Sequence, residues 1–164
     1  MSSRDSNQDE FVCTWEHEER IITFSWLGEV NAPPHRVYAF ASTEADKMLL
    51  VGDHGGKYWL PGGGLEPGET PVAALVRELQ EEAAATVLGA PRYLGTQRAE
   101  DPLVGVHLHS FYSCRVRLAP TFTPEHEITE RHLVDRSDFL DTLFWGRSDP
   151  KAHMLLTKAL QSVT

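Results

Sequence analysis

The 164-residue chain predicts an α+β fold, one domain in which strands flank a central helix and a second helix closes the chain in the manner of an α/β/α sandwich. Three observations carry this. Segments rich in β-branched and aromatic residues stand on both sides of residues 70–83. That stretch repeats apolar residues at three- and four-residue steps. A hydrophobic content of 41% over 164 residues suffices for a single core without disulfides.

In chain order, Ile21 to Leu27 and Arg36 to Ser42 are expected strands, joined through Asn31-Ala32-Pro33-Pro34. Lys47 to Val51 follows the turn-like Thr43-Glu44-Ala45-Asp46, and His54-Gly55-Gly56 separates it from Tyr58-Trp59-Leu60. That hairpin runs directly into Pro61-Gly62-Gly63-Gly64. For the central helix, Thr70 serves as N-cap, Pro71 suits the first helical position, and Val72, Leu75, Val76, Leu79 and Ala83 form the apolar stripe. Extended segments are expected at Arg92 to Gln97, Val106 to Leu118 and Ile128 to Val134, and a last helix from Asp149-Pro150 carrying Met154, Leu155, Ala159 and Leu160 inward. Residues 1–18 read as an acidic N-terminal extension and 19–164 as the domain.

Charge and cysteines restrict the function classes. A formal net charge of −9 opposes broad contact with a nucleic-acid backbone or an anionic membrane. Met1 to Glu10 lacks the basic and apolar regions of a secretory signal, and no segment approaches a membrane span. Cys13 and Cys114 stand far apart without zinc or redox spacing, which fits a reducing, cytoplasmic setting. A phosphate substrate would need a local positive charge, and a metal ion is the obvious source.

On the central helix Glu78, Glu81 and Glu82 are spaced so that their carboxylates share one side. Arg77 is the only basic residue within a turn, and like charges at this spacing repel by a few tenths of a kcal/mol per pair. A hard cation such as Mg²⁺ or Mn²⁺ turns that repulsion into binding. A solvated acidic helix face is the competing reading. The preceding Gly62-Gly63-Gly64 favours the first, because glycine lets backbone approach an ion or phosphate closely.

Gly63, then Glu69 after five residues, then Arg77-Glu78-Leu79-Gln80-Glu81-Glu82 after seven, resembles the Nudix box, most of all that of MutT-type members. Arg36 to Phe40, Lys47 to Val51 and Tyr58 to Gly64 resemble the family's approach to the box. Where the family carries glycine and then a bulky apolar residue, this chain has Ala84 and Ala85, which favours a helix running one turn longer.

The resemblance implies a Nudix-type sandwich around a mixed β-sheet, and metal ligation by Glu78, Glu81, Glu82 and the Gly62 carbonyl. It implies hydrolysis of a phosphoanhydride in a nucleoside diphosphate linked to another group, or in a nucleoside triphosphate. Glu69 and Arg77, with Gly63, take supporting roles as an ion pair fixing loop to helix. The catalytic base is expected at Glu82, Glu81 or the distal Glu127, with Glu100 and Asp101 as further acids. Arg36, Tyr58 and Arg98 are candidate substrate contacts, with Trp26 and Phe111 as further stacking candidates; His107 and His109 share a strand face without forming a metal motif. The partner is a small nucleotide, and a homodimer is compatible with the family. The alternative is a Nudix-like domain that binds a nucleotide without turnover.

Overall fold

In the computed structural model of the protein, which describes residues 12–161, most apolar patterns of the sequence become strands. They are β1 (Val12–His17), β2 (Arg20–Gly28), β3 (Arg36–Thr43), β4 (Met48–Asp53), β5 (Tyr58–Trp59) and β6 (Gly62–Gly64); after helix α1 (Pro71–Ala83) come β7 (Ala85–Asp101), β8 (Gly105–Leu118) and β9 (Ile128–Val134). Helices α2 (Phe139–Thr142) and α3 (Lys151–Leu160) end the chain. The strands join in the order β1-β2-β7-β8-β3-β4-β5, with β6 on β3 and β9 on β4. β3 and β8 run parallel, from Arg36 opposite His109 to Thr43 opposite Val116, and the other pairings are antiparallel, which makes the sheet mixed.

Strand alternation builds two cores. Val37, Ala39 and Ala41 of β3 and Leu49 and Val51 of β4 face Leu75, Leu79 and Ala83 of α1. Phe40, Met48 and Leu50, one residue out of phase, face Phe139, Leu143 and Leu155 on the other side. Both faces are covered, so these central strands read as continuous apolar runs.

Several elements differ from the sequence-based expectation. Val12–His17, assigned by sequence to the extension, forms β1 and pairs with β2 from Val12 opposite Ser25 to His17 opposite Arg20. β7 is seventeen residues long, far beyond Arg92 to Gln97. Its poor strand formers are held extended by β8, and Pro91 falls where the register shifts between Leu88 and Arg92, so no ladder N–H is lost.

Thr70 caps α1, its Oγ1 accepting from Ala73 N at 3.2 Å. The buried stripe is Ala74, Leu75, Leu79 and Ala83, while Val72 and Val76 point outward, so the helix approaches the sheet over small residues. The helix does not run a turn longer. Ala84 adopts the left-handed conformation (φ 48°, ψ 43°), its N–H bonds Gln80 O, and its carbonyl accepts from Ala119 N at 2.9 Å. Ala85 at once pairs with Leu118, so strand pairing fixes the helix end although alanine disfavours that conformation. At α3 the helix starts one residue later than expected, with Pro150 at the cap and Asp149 Oδ1 taking the Lys151 N–H. Among the described residues no helix is long and apolar enough to cross a membrane.

Candidate active site

The turn before α1 and the face of α1 meet through glycine. At Gly62 φ is +149°, and a Cβ there would stand 2.1 Å from the Val37 carbonyl oxygen, so only glycine lets β6 pair this closely with β3. Its N–H donates to Glu82 Oε2 at 2.9 Å. At Gly63 a Cβ would lie 2.5 Å from Glu78 Oε1, so the helix carboxylate occupies the space a side chain would take.

Arg77 organises the remaining acids. Its Nε and Nη2 donate to the two oxygens of Glu69 at 2.8 and 2.9 Å, and Nη2 also reaches Gly64 O at 3.0 Å. Nη1 donates to Glu78 Oε1 at 3.0 Å and Glu81 Oε2 at 3.2 Å. The bidentate contact, with a further N–H from Glu66, holds the Glu69 carboxyl down at about 2. One guanidinium thus contacts Glu69, Glu78 and Glu81, while Glu82 is held by the Gly62 N–H. Burial pushes the Glu82 carboxyl up to about 8, against the pull of the Gly62 N–H and with a further push from Glu78.

Among the described residues no three His, Cys, Asp or Glu side chains are gathered into a closed metal-binding cluster. Arg77 draws Glu78 and Glu81 through one oxygen each, and Glu82 turns to Gly62. The donor set nevertheless fits a hard divalent cation: all donors are carboxylate oxygens, their charge exceeds what Arg77 offsets, and the glycine turn adds no side chain.

The other sequence candidates divide. Arg36 lies beside this cluster, its Nε donating to Tyr38 Oη at 2.7 Å and its charge acting on Glu82. Arg98 pairs instead with Glu100 at 2.8 Å on the surface, and Asp101 with Arg20 at 2.9 Å. Tyr58 stacks on His132 at 4.5 Å and donates to Glu130 at 2.5 Å. Glu127 is exposed, in the loop before β9. Trp26 packs against Gly95 and Phe111. His107 lies against His35 with ring centroids 4.9 Å apart.

Beside the carboxylates opens a cavity of about 340 Å³ that sequence reasoning missed. Trp15, Phe24, Trp59, Phe111, Phe144 and Trp145 supply its apolar walls, and Glu16, Gln97, His109, Asp149 and Lys151 are among its polar groups. Tyr38 joins the two regions: it lines the cavity, bonds Arg36, and lies 2.8 Å from where a Gly62 Cβ would be. Burial, with Arg36 nearby, pushes His109 down to about 3, so its ring is neutral.

The family model described as the NUDIX domain matches residues 32–154. No curated protein matches the chain. Among solved structures, a NUDIX hydrolase from Nitrosomonas europaea superposes with TM-score 0.60 at 21% identity, over 80% of this chain and 98% of that one. A Bacillus subtilis pyrophosphohydrolase gives 0.59 at 21%, over 74% and 77%. An ADP-ribose pyrophosphatase from Streptococcus suis gives 0.55 at 26%, over 81% and 96%.

Proposed function

Because the chain belongs to the Nudix family, whose domain model spans residues 32–154, we propose that it hydrolyses a phosphoanhydride bond in a nucleotide with the help of Mg²⁺ or Mn²⁺. The substrate class is a nucleoside diphosphate linked to another group, with nucleoside triphosphates as the close variant. The observation that carries this is the cluster of Glu69, Glu78 and Glu81 on the Arg77 guanidinium, with Glu82 beside it bonded to the Gly62 N–H of the glycine turn. Two of the similar solved structures are described as a pyrophosphohydrolase and an ADP-ribose pyrophosphatase, which agrees with the reaction type.

Glu78, Glu81, Glu82 and the Gly62 carbonyl would hold the cation, which when bound activates water and offsets charge on the phosphate oxygens. Arg77 positions Glu78 and Glu81, and its contact with Gly64 O fixes the turn against the helix. Arg36, beside Glu82, meets a substrate phosphate. Glu81 is the exposed member of the helix trio, gripped by Arg77 through Oε2 alone, which supports it as the group that would take the proton of the attacking water. Glu127 is the alternative base: Glu81→Gln should cost at least about a hundredfold in turnover, the scale of losing a general base, and Glu127→Gln little. The reverse order would move the base to the distal loop.

The net charge of −9 favours small nucleotides over nucleic acid or membranes, and the cysteines a reducing, cytoplasmic setting; a homodimer accords with this reading. The intact Glu78, Glu81 and Glu82 and the left-handed Ala84 that ends the helix support turnover over a Nudix-like domain that only binds a nucleotide. The deciding experiment is a panel of nucleoside diphosphate conjugates and nucleoside triphosphates with Mg²⁺, read as phosphate released after phosphatase coupling. Turnover of one conjugate class is expected. A flat panel with Mg²⁺ and with Mn²⁺ would sink the assignment.

A further inference from the structure

The cavity beside the carboxylates is built for something flat. Its walls are indole and phenyl rings from five separate stretches of chain, with Trp15 and Trp59 centroids 6.2 Å apart and Trp59 and Phe144 4.8 Å apart. A hydroxyl-rich sugar would lose its hydration against such walls, whereas an aromatic ring gains stacking contact on either face. At about 340 Å³ the cavity lies at the small end for organic ligands, and a two-ring base fills it better than a one-ring base.

One buried polar atom there has no hydrogen-bond partner among the described residues. Gln97 is only 6% exposed and lines the cavity; its Nε2 meets His109 Nδ1 at 3.1 Å, and its Oε1 is buried with no hydrogen bond. The neutral ring of His109 can accept at Nδ1, which leaves Oε1 as the unfilled acceptor. A buried carbonyl oxygen of this kind is costly, and because it exposes almost no surface the Gln97 amide has to turn toward the cavity for a ligand N–H to reach it. Lys151, also on the lining, is ion-paired with Asp149 and sits 5.5 Å from the Phe24 ring centroid and 5.3 Å from that of Trp145.

We propose that this cavity seats the base of a purine nucleotide and that Gln97 selects a base carrying an N–H donor, accepting it at Oε1. The proposal rests on the hydrolase reading for the phosphate end, since Tyr38 and Arg36 lead from the cavity to Glu82. It assigns Gln97 as a specificity-determining residue, touching the base rather than the reacting phosphorus. An amine-bearing purine satisfies Oε1; an unsubstituted purine of the same shape leaves it unpaired, and that difference sets the selectivity.

The test needs neither metal nor phosphate. Adenosine, guanosine, uridine and purine riboside, whose base carries no N–H, are titrated to millimolar concentration against the full chain in EDTA. Calorimetry and quenching of tryptophan fluorescence give the readout, since Trp15, Trp59 and Trp145 line the cavity. At least one of adenosine and guanosine should bind about tenfold or more tighter than purine riboside and than uridine, the scale of one unpaired buried polar group. Gln97→Leu should erase the preference over purine riboside. Equal binding of the amine-bearing and unsubstituted purines by the native chain, which requires no variant to fold, overturns the proposal. So does a preference that survives in a folded Gln97→Leu chain, or no nucleoside binding at all. Nucleoside binding without turnover on any conjugate would fell the hydrolase reading alone, and turnover without nucleoside binding the base pocket alone.

Discussion

Replacing Glu82 by glutamine tests the central charge cluster, because the amide keeps the shape and the bond from the Gly62 N–H while removing one carboxylate. Burial is the chief reason the Glu82 carboxyl stands at about 8, against 4.5 for a free glutamate. Between those values the folded chain holds a proton that the unfolded chain has released, so stability falls as pH rises from about 4.5 to about 8. At 1.36 kcal/mol per unit the ceiling is about 5 kcal/mol, and solvent reaching the site leaves roughly 2 kcal/mol as the expected gain in the variant. For a chain of this size that is ~4–8 °C in melting temperature. Thermal melts in EDTA should therefore coincide near pH 4.5 and separate toward pH 8, with Glu82→Gln the more stable. With Mg²⁺ present the same variant should lose at least about a hundredfold in turnover, the scale of a lost ligand or base. Melting curves that stay parallel from pH 4.5 to 8 would show that Glu82 is not held in a protonated, buried state, and the charge argument would fail with them.

Ala84→Gly relieves a left-handed alanine at about 1–2 kcal/mol, partly offset by the freer unfolded chain, so melting temperature should rise by ~1–4 °C with turnover within about twofold; destabilisation would contradict the observed backbone. Gly63→Ala would place a Cβ 2.5 Å from Glu78 Oε1 and push that carboxylate aside, so turnover should drop more than about tenfold with little change in melting temperature, and unchanged kinetics would remove Glu78 from the site. Chelation with EDTA should abolish activity and Mg²⁺ or Mn²⁺ restore it, with millimolar metal raising the melting temperature because only the folded chain binds it; full activity in chelator would end the metal-dependent reading.

The carboxylate cluster was legible because it is local. Gly62 to Ala84 is one turn and one helix, and three- and four-residue spacing alone fixes which side chains share a face. The helix end was misread for a tertiary reason: alanine's own preference predicts continuation, while Ala119 N and the pairing of Ala85 with Leu118 outweigh it. The stripe was misread in part because Val72 and Val76 satisfy the spacing rule yet flank the contact that Ala74 and Ala83 make possible.

The aromatic cavity had no such local signal. β1, β2, β3, β5, β7, β8 and the α2–α3 connection each supply one to a few residues, and nothing in the intervals between Trp15, Trp59 and Trp145 announces a shared wall. Strand parity decided the details. Tyr58 and Trp59 are adjacent, so one must face His132 and Glu130 while the other faces the cavity; the sequence favoured Tyr58, and the pairing of Val51 with Trp59 chose Trp59. Gln97 reads along the chain as an ordinary polar strand residue, and becomes a buried acceptor only because β8 sets His109 opposite it. The two halves of the site are therefore encoded differently, the chemistry in one contiguous segment and the choice of ligand in register. Substitutions scattered over several strands can reshape the cavity while the segment from Gly62 to Ala84 stays unaltered, so the substrate has to be inferred from the orphaned Gln97 oxygen and its aromatic surroundings, and the reaction from the helix.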